Sequence, residues 1–166
     1  MTTFQDNQTC LRAESRASAS GLIHRVRFAP ADYPWLHWSW RIERAIPQGD
    51  PATKAGDDYA ARVYVVFPGL FFWNTRSLNY VWAGGLAQGA MRPNPFTANA
   101  IMIAVQSGNT HAGRWMTEHR NIVEDYKEAF GEPPPEAGLI AIMTDTDNTG
   151  GSATACYGPI SISSSP

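Results

Sequence analysis

Two adjacent carboxylates, Asp57 and Asp58, lead straight into an alternating segment that carries Arg62 and Tyr64. On an extended segment, side chains two apart share a face, so Arg62 and Tyr64 point the same way. If that face lies beside Arg41, Glu43 and Asn79, then carboxylates, guanidinium groups, an amide and a phenol converge. Such a set can hydrogen-bond sugar hydroxyls while aromatic rings stack on the apolar sugar faces. It can equally do acid–base work through Asp58 or Glu43, because a carboxylate beside Arg stays ionised while one shielded from water keeps its proton. The same letters also fit plain ion pairs, Asp58 to Arg62 or Glu43 to Arg41, that fix strand register.

A second group is the run DTDNTG at 145–150. Asp145, Asp147 and Thr149 offer oxygens at alternate positions, as in the first half of a calcium loop, with Gly150 allowing the turn. The second half of that loop is absent, since Cys156 stands where a bidentate glutamate would be. A hairpin turn held by side-chain hydrogen bonds explains the same residues. Calcium is thus the one cofactor the sequence brings into view. Trp38 and Trp40 share a face with Leu36 and Ile42 and read as core, whereas Trp73 and Trp82 lie nearer loops and read as candidate sugar platforms. His24, His37, His111 and His119 show no HxH or HExxH spacing. No GxSxG elbow, phosphate-binding glycine loop or CxxC pair occurs, so nothing in the motifs points to hydrolase, kinase or redox chemistry.

These residues must be positioned by strands. Segments 20–28, 36–43, 61–67, 78–82 and 114–119 are short and bounded by turn residues, which predicts a sandwich or barrel. Residues 36–43 alternate most strictly, with Leu36, Trp38, Trp40 and Ile42 against His37, Ser39, Arg41 and Glu43. Segments 99–106 and 137–144 are apolar on both faces, as in inner strands covered twice, and 152–162 supplies a final strand. One helix is expected at 122–130. Asn121 can cap it, Glu124 follows three residues on, Ile122, Tyr126 and Phe130 recur at spacing four, and Gly131 closes it before Pro133, Pro134 and Pro135. Residues 46–58 and 84–97 read as long loops, of the kind that often border binding sites. The ends, 1–8 and 161–166, read as flexible.

At 166 residues, with 43% hydrophobic and 17% charged, the chain fits one globular domain. The reading is all-β, a β-sandwich of jelly-roll type over 1–166 with one short helix. A net charge of −2 offers no basic face, so nucleic acid is not an expected partner. No apolar run reaches membrane-spanning length. Residues 1–10 lack the basic start and apolar core of a secretion signal, so the chain as written is expected in the cytoplasm. Cys10 and Cys156 are the only cysteines. They lie near opposite ends of the chain, where terminal strands can pair, and are either bridged or two separate buried thiols.

The runs ASASG at 17–21, WSWR at 38–41, GDDYAARVYVVF at 56–67, LNYVW at 78–82 and MTDTDNTG at 143–150 together resemble a bacterial family. It is domain of unknown function number 3047, and the resemblance extends from about residue 11 to 160. It implies no activity. It implies relatives that are commonly exported and that begin with one more strand. The order of elements is similar to galactose-binding-like jelly rolls and carbohydrate-binding modules, a likeness of fold. The expectation is therefore a ligand-binding jelly roll for a carbohydrate or another polyhydroxylated molecule, with Arg41, Asp57, Asp58, Arg62, Tyr64 and Asn79 as its site. The alternatives are a hydrolase- or lyase-type enzyme using the Asp57/Asp58 loop and Glu43, and a structural or interaction domain.

Overall fold

The computed structural model describes residues 1–6 and 8–166. In chain order the strands are β1 (Thr2–Gln5), β2 (Gln8–Arg16), β3 (Ala19–Phe28), β4 (Trp35–Ile42), β5 (Ala61–Phe67), β6 (Arg76–Ala83), β7 (Met91–Asn94), β8 (Thr97–Ser107), β9 (Met116–Asn121), β10 (Ala137–Asp145) and β11 (Ser152–Ser163), with helix α1 (Ile122–Phe130) between β9 and β10. They form one sheet in the order β1-β2-β11-β4-β9 and a second in the order β3-β10-β5-β6-β8-β7. From β2 to β5, and again from β9 to β11, consecutive strands switch between the sheets, which makes a β-sandwich of jelly-roll type. All pairings are antiparallel except β6 with β8.

The strict alternation of β4 has the consequence period two dictates. Leu36, Trp38, Trp40 and Ile42 are buried between the sheets. Trp38 meets Tyr80 at 5.2 Å and Trp40 meets Trp82 at 5.8 Å, so aromatic rings from β4 and β6 form the centre of the core. Val63, Val65 and Phe67 of β5 and Leu78 of β6 complete it. Trp82 is 1% exposed and belongs to this core, not to a sugar platform. Its place near a loop did not expose it, because position parity puts it with Leu78 and Tyr80.

Helix α1 forms as its punctuation predicts. The Asn121 side chain accepts from the backbone N–H groups of Val123 and Glu124, and Gly131 takes the left-handed conformation at φ 75°. Tyr126 packs on Phe67 at 4.7 Å and fastens the helix to the sandwich. Both chain ends, expected to be flexible, carry strand residues in β1 and β11. Cys10 on β2 and Cys156 on β11 form a disulfide with Cα atoms 5.6 Å apart, across 146 residues of sequence. Among the described residues, no helix is long and apolar enough to cross a membrane.

Candidate functional site

The face of β5 turned away from the core carries Arg62 and Tyr64. The register sets Tyr64 opposite Asn79 of β6, and Arg62 opposite Val81. Arg62, Tyr64 and Asn79 therefore share one face, as the alternation predicts. Asp57 and Asp58 reach its end from the preceding loop. Arg41 and Glu43 do not join them, because β4 belongs to the other sheet. Arg41 donates to the Gly113 carbonyl at 3.0 Å and pairs with Asp6 at 3.2 Å, while Glu43 pairs with Arg12 at 3.5 Å.

Arg62 is 5% exposed, and its Nε and Nη2 donors are used inside the protein, while Nη1 faces the Asp57 carboxylate at 3.9 Å. Its guanidinium donates to both carboxylate oxygens of Asp145, with the Nε contact at 2.9 Å, and to the Asp57 carbonyl at 2.7 Å. Its carbon lies 4.4 Å from the centre of the Tyr59 ring. The Tyr157 hydroxyl accepts from the Arg62 backbone N–H at 3.2 Å and donates to the Met143 carbonyl at 2.6 Å. Burial pushes the Asp145 carboxyl up to about 6 against the pull of Arg62, and raises Asp57 against Arg62 and Asn94. Burial likewise moves the Tyr64 phenol up to about 12. This is a closed polar knot joining β5, β10 and β11, and Tyr64 is its half-buried rim.

Asp58 explains the DTDNTG turn. Its Oδ2 accepts from the Thr149 N–H at 2.6 Å, and its Oδ1 from the Asn148 N–H and side-chain amide at 3.2 Å each. Burial alone would raise its carboxyl, but the bonds from Thr149 and Asn148 outweigh burial and hold it below the ordinary carboxylate range. Asp58, Asp145 and Asp147 can bring one oxygen each within 4.8 Å of one another. The oxygens of Asp58 and Asp145 already have partners inside the protein. Asp145 is engaged by the Arg62 guanidinium, Asp58 accepts from backbone N–H groups, and the Thr149 hydroxyl accepts from the Gly151 N–H at 3.4 Å.

A different surface is open. Between β5 and β6 the chain makes a tip, PGLFFWN at 68–74, with Leu70 97%, Phe72 92%, Trp73 67% and Phe71 55% exposed. The Phe71 and Trp73 rings stack at 4.9 Å with planes 4° apart. Pro68 at its base lies against Gly138 of β10, where any side chain would collide with the proline ring. The Asn99 amide donates to the Trp73 carbonyl at 2.7 Å and ties the tip to β8. Beside it runs a groove of about 680 Å³ whose lining includes Trp73, Asn74, Arg76, Asn99, Glu132 and Pro134. Arg76 pairs with Glu132 and lies 4.7 Å over the Phe130 ring, so α1 supplies the far wall.

The sequence matches the family described as "Protein of unknown function (DUF3047)" over residues 1–161. The chain belongs to this family. Comparison with curated proteins gives no match. Among solved structures, a loop-swap mutant of Xyn11A from Necallimastix patriciarum is similar at 13% identity, with 97% of this chain and 84% of that one covered and a TM-score of 0.44.

In this DUF3047 chain, then, the residues singled out by chemistry fall into two kinds. Arg62, Asp57, Asp58 and Asp145 are drawn together but locked, whereas the open groove is built mainly from residues that no motif marks. Trp73, singled out for its place near a loop, is exposed at the groove. Arg76, Asn99 and Glu132 were not singled out, because only the parallel pairing of β6 with β8 and the docking of α1 bring them to one place.

Proposed function

We propose that this domain binds a carbohydrate or a similar polyhydroxylated molecule in the groove beside Trp73. The observation that carries the reading is the parallel Phe71–Trp73 stack, more than half exposed, with Trp73 at the groove edge. A flat, rigid aromatic surface suits the C–H face of a pyranose ring, and little conformational entropy is lost when it is used. Around the groove, the side chains of Asn74 and Asn99, the guanidinium of Arg76 and the carboxylate of Glu132 supply donors and acceptors of the kind that hydroxyl groups need. Arg62 and Asp58 support the domain from the knot and do not touch the ligand.

The disulfide between Cys10 and Cys156 supports an exported protein, since such bonds persist in oxidising compartments and are rare in the cytoplasm. It agrees with the exported relatives that the family resemblance implies and departs from the cytoplasm expected from the first residues alone.

The test is a glycan array followed by calorimetry on the best hit. Wild-type protein is expected to bind, and Trp73→Ala to weaken binding at least tenfold with unchanged melting temperature, Trp73→Phe retaining part of it. Failure of every glycan to bind, or equal binding by Trp73→Ala, rejects the proposal.

A further inference from the structure

The strand pairings sort the connections between the two ends of the sandwich. Phe28, where β3 stops, lies opposite Ala137, and Leu139 two residues on lies opposite Val66 near the end of β5. Arg76 opens β6 opposite Phe67, and Ala100 near the start of β8 lies beside Ser77. The connections 29–34, 68–75 and 95–96 therefore leave the sandwich at one end. Tyr33, Leu70, Phe71, Phe72, Trp73 and Phe96 all stand on them, each about half exposed or more. Among the described residues, the opposite connections 17–18, 84–90, 108–115 and 146–151 hold no large apolar side chain so exposed. The glycan reading uses the Phe71–Trp73 stack and leaves Leu70 and Phe72, the two most protruding of the set, without a partner.

Three properties of the tip 68–74 define what can cover it. It carries no charged residue, and at its base Arg76 pairs with Glu132 and Arg27 with Glu136, so it offers no run of free cations. The carbonyls of its three consecutive aromatic residues are already paired: Phe71 accepts from the Asn74 N–H at 3.0 Å, Phe72 from the Thr75 N–H at 3.2 Å and Trp73 from the Asn99 amide. And it is convex, with Leu70 and Phe72 touching almost nothing in their own chain. A protein partner would need a separate pocket for each protruding side chain and would find neither charge nor free strand edge to fix its register. A hydrocarbon phase needs no matched shape, and it demands what the tip has, namely no charge and backbone groups satisfied within the chain. We propose that this end of the sandwich docks on the surface of a phospholipid bilayer, with Leu70 and Phe72 entering the acyl boundary. Trp73 and Tyr33, whose rings carry polar atoms, lie behind them at the level of the headgroups, where such rings concentrate. Because the cations at the base are paired, zwitterionic lipid suffices and anionic lipid is not required. The groove beside Trp73 then opens among the headgroups, although the docking does not depend on a sugar.

Flotation with phosphatidylcholine vesicles is expected to carry the wild-type protein with the lipid, at low and high salt alike. Phe72→Glu should weaken this binding about tenfold or more, the effect of returning one buried phenylalanine side chain to water. Its melting temperature and its binding of soluble glycan should not change. Brominated acyl chains should quench the tryptophan fluorescence of wild type more than that of Trp73→Phe. Absence of flotation, flotation indifferent to Phe72→Glu, binding that requires anionic lipid, or equal quenching of the two proteins overturns the proposal. So does self-association in sedimentation velocity that Phe72→Glu abolishes while vesicles carry neither protein, since the tip is then a contact between protein chains. Flotation of a protein that binds no glycan on the array supports the docking and rejects the sugar reading alone.

Discussion

At the scale of single residues, Asp58 and Asp145 respond to pH in opposite senses. Asp58 is held below the ordinary carboxylate range, so its ionised form is better stabilised in the folded chain than in the unfolded one. Its contribution is complete above the unfolded value of about 4 and is lost as pH falls through the folded value. Asp145 is raised to about 6, so its contribution is present in acid and declines as pH rises through that value. Asp58→Asn removes the charge and replaces one of the two acceptor oxygens by an amide that cannot accept from the Thr149 or Asn148 N–H, and should lower stability near pH 7 by about 1–3 kcal/mol. Urea denaturation at a series of pH values checks this. The gap between wild type and variant should narrow as pH falls below about 4, where wild-type Asp58 itself takes up a proton. A gap independent of pH would mean that the charge of Asp58 does not hold the turn.

The elements show how far local pattern reaches. Asn121→Ala removes the side-chain acceptor for two N–H groups at the start of α1 and should cost about 1 kcal/mol, measured by chemical denaturation. Since Glu132, just beyond α1, reaches the groove, the variant should also weaken glycan binding modestly if the helix end loosens. That helix was legible to the residue because every signal for it is local. So were the faces of β4, β5 and β6, which period two fixes. Strands β1 and β2 escaped notice because polar residues occupy both faces, as in Gln8–Arg16, whose burial comes from β11 and not from its own pattern. β7 escaped because Pro93 argues against a strand, and an edge position removes that objection. Sheet membership was out of reach altogether. Nothing in the alternation of β4 tells that Arg41 and Glu43 lie in the opposite sheet from Arg62, since that is decided by which strands pair.

Across the whole molecule, one covalent bond joins the first long strand to the last. β2 and β11 are neighbours, and their pairing closes the chain on itself through contacts 146 residues apart in sequence at Cys10 and Cys156. In the unfolded chain the bond removes the entropy of a loop of that length, a stabilisation of about 5 kcal/mol in the chain-entropy account. The hydrophobic core of Trp38, Trp40, Tyr80 and Trp82 lies between β4 and β6 and does not depend on it directly. The Cys10→Ala, Cys156→Ala double variant should therefore still fold, with native near-ultraviolet dichroism from those rings, but melt about 10 °C or more below wild type. Wild type with its disulfide reduced should melt with the variant. Equal melting of oxidised and reduced protein would show that β2 and β11 stay paired in the denatured ensemble without the bond. Loss of the aromatic dichroism would show instead that closure of the chain ends is needed to assemble the core.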